Sequence, residues 1–244
     1  MSVIRGGYNS YGQKLGILLL PTKAPRMPGD IGNATTFKFP VRYKKVEGIT
    51  VEEVLNNRSC DSALVDSFIE AGKELEKEGI KAITTSCGFT ALFQKKMVES
   101  LNLLVFMSSL IQIPLVHSMI GKNKKVGVLT ANKERLTKKH LEAVGVKNIP
   151  VCIYGMEKEE NFANMILNQQ PFGDTTKIEK EIIKISTKLV KENENIGAIV
   201  LECANMPPFA YAIQCEIGLP VFDLVTLANY VYNAIICKKY NGYI

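Results

Sequence analysis

The eight residues AITTSCGF at positions 82–89 decide the fold, because their pattern recurs as AIVLECAN at positions 198–205. In each stretch a short β-branched and aliphatic run ends in a cysteine, and a segment of helical character follows. Corresponding positions are 116 residues apart, as Cys87 and Cys203 show. The pattern indicates an internal duplication of an α/β unit, with one cysteine at the end of a strand in each copy.

Neighbouring apolar runs extend the repeat. Residues 105–106 (VF) match residues 221–222 (VF) at the same separation, and 14–18 (KLGIL) match 125–129 (KVGVL) at a separation of 111. Loops absorb a difference of this size. Strands that alternate with helices predict parallel sheets with right-handed crossovers.

The predicted fold class is therefore α/β, with two pseudo-symmetric lobes. Each lobe is a flavodoxin-like parallel sheet of about four strands flanked by helices, and the active site lies in the cleft between them. We expect residues 1–116 and 225–244 to form the first lobe, with Cys87, and residues 117–224 to form the second, with Cys203. Further helices are predicted at 61–77 (capped by Ser59 or Asp61), 89–99, 109–120, 132–144, 159–168, 175–192, 208–217 and 224–237.

One connection departs from the alternating pattern. Residues 21–33, after the first strand, are too rich in Pro and Gly to form a helix. A long loop at the carboxyl end of a strand is where an open α/β sheet places ligand contacts. The same composition predicts a rigid surface connection equally well. The sequence does not distinguish a loop that closes as a lid from one that does not.

Composition excludes several classes of protein. The 244 residues are 46% hydrophobic with a net charge of +6, and their lysines are dispersed among acidic residues, so we expect no nucleic-acid partner. No apolar run approaches the roughly 18 residues of a membrane span, and residues 1–13 lack a signal-peptide core. The six cysteines lie far apart without a CxxC pair, which predicts free thiols, no metal and a cytoplasmic location.

The paired cysteines suggest acid–base chemistry. A sulfur at a strand end lies near the free N–H groups of the following helix, so we expect a lowered thiol pKa. One thiolate could remove a carbon-bound proton while the opposite thiol returns one, which needs no cofactor. Backbone N–H groups, helped by Ser86, Thr130 and Asn205, would stabilise the carbanion. The other four cysteines, Cys60, Cys152, Cys215 and Cys237, are expected to be packing residues.

Around these cysteines the chain resembles the aspartate/glutamate/hydantoin racemase superfamily, whose members have two lobes with a catalytic cysteine in each. Residues 201–206 (LECANM) are similar to the Leu-Gly-Cys-Ala-Gly-Met of hydantoin racemases, and residues 129–132 (LTAN) form a second point of similarity. Gly88-Phe89 stands where amino-acid racemases have Asn-Thr, and Ala204-Asn205 where they have Thr and an ionisable residue. The resemblance implies that Cys87 and Cys203 are the acid/base thiols. The predicted substrate-binding residues are Ser86, Gly88, Phe89, Thr130, Ala131, Asn132, Ala204, Asn205 and Arg26, with Arg42 as an alternative carboxylate ligand.

Together these observations predict a cofactor-independent racemase or epimerase of an amino acid or a related small carboxylate or hydantoin, and hence a role in amino acid metabolism. Two alternatives stay open: a cysteine-dependent maleate-type isomerase or decarboxylase of the same superfamily, and a two-lobed small-molecule sensor without turnover. The expected partner is a small molecule, not nucleic acid or a membrane. A homodimer is expected because dimers are common among the proteins it resembles.

Overall fold

The computed structural model of the chain describes residues 6–56 and 62–243. These residues form two four-stranded parallel sheets with the orders β2-β1-β3-β4 and β6-β5-β7-β8, so the predicted α/β fold with two duplicated lobes is confirmed. The strands of the first sheet are β1 (Leu15–Leu19), β2 (Val41–Lys45), β3 (Ala82–Thr85) and β4 (Leu104–Val105). Those of the second are β5 (Lys125–Thr130), β6 (Val151–Gly155), β7 (Ile196–Leu201) and β8 (Val221–Phe222).

The duplication is visible in the backbone hydrogen bonds at the strand ends. The Ser86 N–H donates to the Leu18 carbonyl at 3.0 Å, and the Glu202 N–H donates to the Leu129 carbonyl at 2.8 Å. The two donors are 116 residues apart and the two acceptors are 111 residues apart, as the sequence repeat predicts. The central strands of both sheets are largely buried on both faces, which explains why their sequences are mainly apolar.

Nine α-helices connect the strands within the described ranges. They are α1 (Val51–Asn56), α2 (Ser62–Lys77), α3 (Gln94–Ser100), α4 (Ile113–Ile120), α5 (Lys138–Ala143), α6 (Glu160–Phe162), α7 (Thr175–Glu192), α8 (Ala210–Ile217) and α9 (Leu224–Ile235). The predicted caps Ser59 and Asp61 lie outside the described residues.

Three predicted helices begin as 3₁₀ turns, at Gly88–Phe93, Ser109–Gln112 and Pro207–Phe209. The helix predicted over 132–144 is shorter than expected, because the Asn132 side chain accepts the Arg135 N–H at 3.1 Å and holds a turn. Extended backbone at Thr137 then delays the start of α5. Asn and Thr side chains compete with helical hydrogen bonds in this way.

Helices α4 and α9 occupy equivalent places in the repeat. Each follows the last strand of one sheet and packs on the other sheet: α4 contacts β5 and β7, and α9 contacts β3. The apolar residues of α9, among them Leu224 and Leu227, share a core cluster with Leu15 and Ile17 of β1. The two lobes therefore exchange a covering helix.

The loop at 21–33 reaches the second lobe. Asp30 accepts a hydrogen bond of 2.7 Å from the Asn205 amide. Gly29, at a φ of +96°, lies so close to the Pro208 backbone that a β-carbon would be 2.9 Å from the Pro208 Cα. The loop thus spans the opening between the strand ends of the two sheets. Within the described part of the chain, none of the helices is both long and apolar enough to cross a bilayer.

Candidate active site

A cavity of about 40 Å³, open at one side, lies at the carboxyl ends of the central strands of both sheets. Both Cys87 and Cys203 line it. So do most of the residues predicted to bind substrate: Arg26, Ser86, Gly88, Phe89, Ala131, Ala204 and Asn205. The duplicated strand tips therefore converge on one space.

Three of the predicted residues lie elsewhere. Thr130 is behind the cavity wall, where its hydroxyl donates to the Glu202 carboxylate at 2.7 Å. Asn132 lies in a neighbouring surface groove and caps the turn before α5. Arg42, the alternative carboxylate ligand, pairs with the exposed Glu78 at 2.7 Å on the far edge of the first sheet.

Cys87 occupies the position before the 3₁₀ turn Gly88–Phe93. Burial, followed by the Glu202 carboxylate, raises the pKa of its thiol to about 12, although the backbone N–H groups of Phe89 and Thr90 donate to the sulfur. The prediction of a lowered thiol pKa is wrong. Free N–H groups do stabilise the thiolate as expected, but the loss of water and the nearby anion outweigh them.

Cys203 is held in a chain of hydrogen bonds. Its sulfur lies 3.6 Å from the Asn205 Oδ1, and the Asn205 amide nitrogen donates to Asp30. Burial, and then Glu202, raises the pKa of this thiol well above its usual range, against the Asn205 backbone N–H. Both thiols are thus neutral at ordinary pH.

Glu202 is a candidate functional residue that sequence reasoning missed. Its side chain is completely buried and lines the cavity beside both cysteines. Burial raises the pKa of its carboxyl group to about 7, against hydrogen bonds from the Thr130 hydroxyl and the Ala131 N–H. Its Oε1 has no hydrogen-bond partner among the described residues. The sequence did contain a signal for Glu202, because an acidic residue there directly follows the apolar run of β7.

Gly88 makes room for that carboxylate. A β-carbon at Gly88 would overlap both the carbonyl oxygen and the Oε1 of Glu202. The equivalent position in the second lobe is Ala204, which carries a β-carbon without conflict. The absence of a side chain at Gly88 is therefore a requirement of the site rather than of a turn.

Arg26 is the basic residue on the cavity wall. Its guanidinium contacts the buried Asp30 at 3.1 Å. Burial raises the pKa of Asp30, and Arg26, Gly32 and Asn205 oppose that shift. Asp30 thereby connects Arg26 to Asn205 and, through it, to Cys203.

The rest of the wall is mostly apolar, and the sequence reasoning did not select these residues either. Their contribution depends on long-range packing that no local motif reports. They are Leu20, Val51, Leu55, Ile166 and Leu167, with Thr22 and Gln169 as a hydrogen-bonded polar pair. Among the described residues, no group of three His, Cys, Asp or Glu side chains could hold a metal ion.

Comparison with known proteins identifies the family to which the chain belongs. No protein-family model matches the chain. A dimethylsulfoniopropionate lyase of Durusdinium sp. clade D is 31% identical over 222 residues, which cover 88% of this chain and 73% of the relative. The chain belongs to the dimethylsulfoniopropionate lyase family. Dimethylsulfoniopropionate lyases 3 and 7 of Emiliania huxleyi (strain CCMP1516) are 28% and 29% identical, and the chain spans 58% and 65% of their lengths.

Solved structures with the same fold are those of the aspartate/glutamate/hydantoin racemase superfamily, so the predicted resemblance is confirmed. Unliganded arylmalonate decarboxylase matches at a TM-score of 0.58 with 12% identity, over 95% of this chain and 96% of that chain. An aspartate racemase homologue from Pyrococcus horikoshii OT3 matches at 0.55 with 20% identity, over 92% and 100%. Identities this low establish the fold and not the reaction.

The prediction of a racemase, an isomerase of amino acid metabolism, is wrong. The relatives that align over 88% of the chain are dimethylsulfoniopropionate lyases, and they equally favour that type of lyase over the isomerase, decarboxylase and sensor alternatives. Racemisation and elimination can both begin with removal of a proton next to a carboxylate. A pair of cysteines is therefore compatible with either reaction, and the enzyme's class depends on what the substrate carries.

Proposed function

We propose that this chain is a lyase that eliminates dimethyl sulfide from dimethylsulfoniopropionate. The supporting observation is that Cys87, Cys203, Arg26 and Glu202 line one cavity in a member of this family. The substrate carries a carboxylate at one end and a sulfonium cation at the other. Among the described residues, the cavity carries one basic and one acidic side chain, and the sulfurs of both cysteines line it as well.

The reaction is a β-elimination. A thiolate of the pair removes a proton from the carbon next to the carboxylate. The C–H electron pair becomes the double bond of acrylate, and the C–S bond breaks with its electrons remaining on sulfur. The products are acrylate, neutral dimethyl sulfide and a protonated thiol, which returns its proton to solvent.

The base has to be generated within the site, since burial and Glu202 keep both thiols neutral at ordinary pH. A sulfonium cation that enters the cavity offsets the negative field of Glu202 and favours a thiolate nearby. The backbone N–H groups that reach Cys87 and Cys203 already favour the anion. Substrate binding and base formation are coupled in this scheme.

Arg26 is the proposed ligand of the substrate carboxylate. A guanidinium has five N–H donors, and the described contacts to Asp30 use its NH1 group. Ser86, Gly88, Phe89, Ala131, Ala204 and Asn205 complete the proposed binding site as its walls. The predictions of a homodimer and of the lobe boundaries stay predictions.

The test is to incubate the purified chain with dimethylsulfoniopropionate and to measure dimethyl sulfide by gas chromatography and acrylate by proton NMR. We expect stoichiometric formation of both products. Cys87→Ala and Cys203→Ala should each lower the rate, and the variant that lacks the base should lose at least about a hundredfold. The variant with the greater loss identifies the sulfur that takes the proton.

Cys215→Ala is the matched control, since Cys215 is exposed on α8 and outside the cavity. It should retain the parental rate. Absence of dimethyl sulfide from the parental protein, or parental rates in both Cys87→Ala and Cys203→Ala, would contradict the proposal.

A further inference from the structure

Two charged side chains line the cavity among the described residues, and they differ in how they are neutralised. Arg26 has an acidic partner in Asp30. Glu202 has no basic partner: no ion pair within the described ranges includes it, although its side chain is fully buried. A buried carboxylate without a counter-ion is unfavourable and is usually paired.

The hydrogen bonds of Glu202 are also incomplete. The Thr130 hydroxyl donates to Oε2 at 2.7 Å, and the Ala131 N–H donates to the same carboxyl group. Oε1 receives no donor from the described residues. The carboxylate is thus anchored from behind, and the part of it that lacks a partner is on the side of Gly88.

The surroundings of Glu202 suit a cation that has no hydrogen-bond donors. Apart from Arg26 and Glu202, the wall consists of apolar side chains, the two thiols, small residues and four neutral polar side chains. These four, Thr22, Ser86, Gln169 and Asn205, already form hydrogen bonds within the protein. A primary ammonium group would need acceptors for three N–H bonds, whereas a sulfonium or quaternary ammonium group needs only a negative field and an apolar enclosure.

We propose that Glu202 determines the specificity of the site for substrates with a permanently charged onium group, by facing that group while Arg26 faces the carboxylate. This inference rests on the proposed function, because it assigns the two ends of the substrate to the two ends of the cavity. It goes beyond that function in naming the residue that separates charged from neutral substrates.

Glu202 also affects the ionisation of the two cysteines in the cavity. The same carboxylate raises the pKa of both Cys87 and Cys203. A neutral thioether substrate would leave that repulsion in place, and so would bind next to thiols that resist ionisation. Glu202 thereby links recognition of the charge to formation of the base.

The experiment compares two unreactive ligands of the same shape by titration calorimetry. One is 3-(trimethylammonio)propanoate, and the other is 4,4-dimethylpentanoate, in which carbon replaces the charged nitrogen. We expect the parental protein to bind the charged ligand at least about tenfold more tightly. Glu202→Gln should reduce that ratio to near one while it retains affinity for the neutral ligand.

Glu134→Gln is the control for the loss of one negative charge, because Glu134 is exposed and does not line the cavity. It should retain the parental ratio. Glu202→Ser introduces the residue at the equivalent position of the first lobe, Ser86, and provides a second neutral variant if the Gln variant does not fold. Both neutral variants should lose the preference for charge.

The outcomes separate this inference from the proposed function. If the protein cleaves dimethylsulfoniopropionate but Glu202→Gln retains the parental ratio, or weakens both ligands equally, the inference is wrong and the lyase proposal stands. If the ratio depends on Glu202 but no cleavage occurs, the lyase proposal is wrong and the charge selection stands. Failure of the parental protein to prefer the charged ligand overturns the inference.

Discussion

The two strand tips at the cavity are equivalent by duplication, yet two of their three residues differ. Ser86-Cys87-Gly88 ends the central strand of the first sheet, and Glu202-Cys203-Ala204 ends that of the second. Glu202 is large where Ser86 is small, and Gly88 lacks the β-carbon that Ala204 carries. The differences compensate each other, because the Glu202 side chain occupies the space over Gly88.

This comparison shows what duplication provides and what it does not. The repeat places one sulfur from each lobe in the same cavity, as the proposed proton transfer requires. The departures from the repeat place a negative charge on one side only. A polar substrate with unlike ends needs such an asymmetric site, whereas a symmetric pair of tips could not distinguish its two ends.

The largest expected effect is on the pH dependence of stability, and it comes from the carboxyl group that Glu202 carries and Ser86 lacks. Folding raises the Glu202 pKa from 4.5 to about 7, so between these values the folded protein retains a proton that the unfolded chain has lost. Stability therefore falls as the pH rises through this window, by up to about 3 kcal/mol for a shift of this size. Glu202→Gln should lack this decrease, and Ser86→Ala should retain it.

Urea unfolding midpoints at pH 5, 6, 7 and 8 measure this difference. Burial lowers the pKa of His140 to about 4, so that residue reduces stability as the pH falls below 6.5. Since His140 acts equally in parent and variant, the difference between their curves isolates Glu202. Parallel curves for the parent and Glu202→Gln would show that Glu202 ionises normally in the folded protein.

A second prediction tests the compensation between the tips. Gly88→Ala should lower kcat/KM for dimethylsulfoniopropionate about a hundredfold, because the new β-carbon displaces Glu202 and the adjoining backbone. Ala204→Gly, the reverse change in the other lobe, should cost only a few-fold. Circular dichroism melting curves establish that both variants fold. Equal rates for the two variants would contradict the interpretation.

The smallest effect distinguishes two arginines of the first lobe. Arg26→Gln should raise KM about tenfold, because it removes the proposed ligand of the substrate carboxylate. Arg42→Gln should leave KM within about twofold, since Arg42 lies on the sheet edge with Glu78. Steady-state kinetics measures both. A greater effect at Arg42 would exclude Arg26 as the carboxylate ligand.

The sequence predicted the lobes, the central strands and the convergence of Cys87 and Cys203, because these follow from a repeat and from apolar runs. It did not predict the pKa of the thiols. Their ionisation depends on burial and on Glu202, and neither is visible from the position of a cysteine at a strand end. The short α5 was missed because the Asn132 and Thr137 side chains replace helical hydrogen bonds locally.

Function was the least predictable part from the residues alone. Proton removal next to a carboxylate serves racemases and lyases alike. Glu202, which breaks the repeat, was the informative position, although a search for similarity between the halves directs attention away from it. The proposed determinant of specificity thus lies where the two copies disagree.

The exchange of α4 and α9 has a consequence for biosynthesis. Helix α4 precedes the sheet that it covers, so the second lobe has all its parts as soon as β8 has left the ribosome. The sheet of the first lobe emerges earlier, but its cover is α9, near the end of the chain. The half of the molecule that is translated first is therefore the last to mature, and its apolar sheet face stays uncovered by α9 during most of elongation.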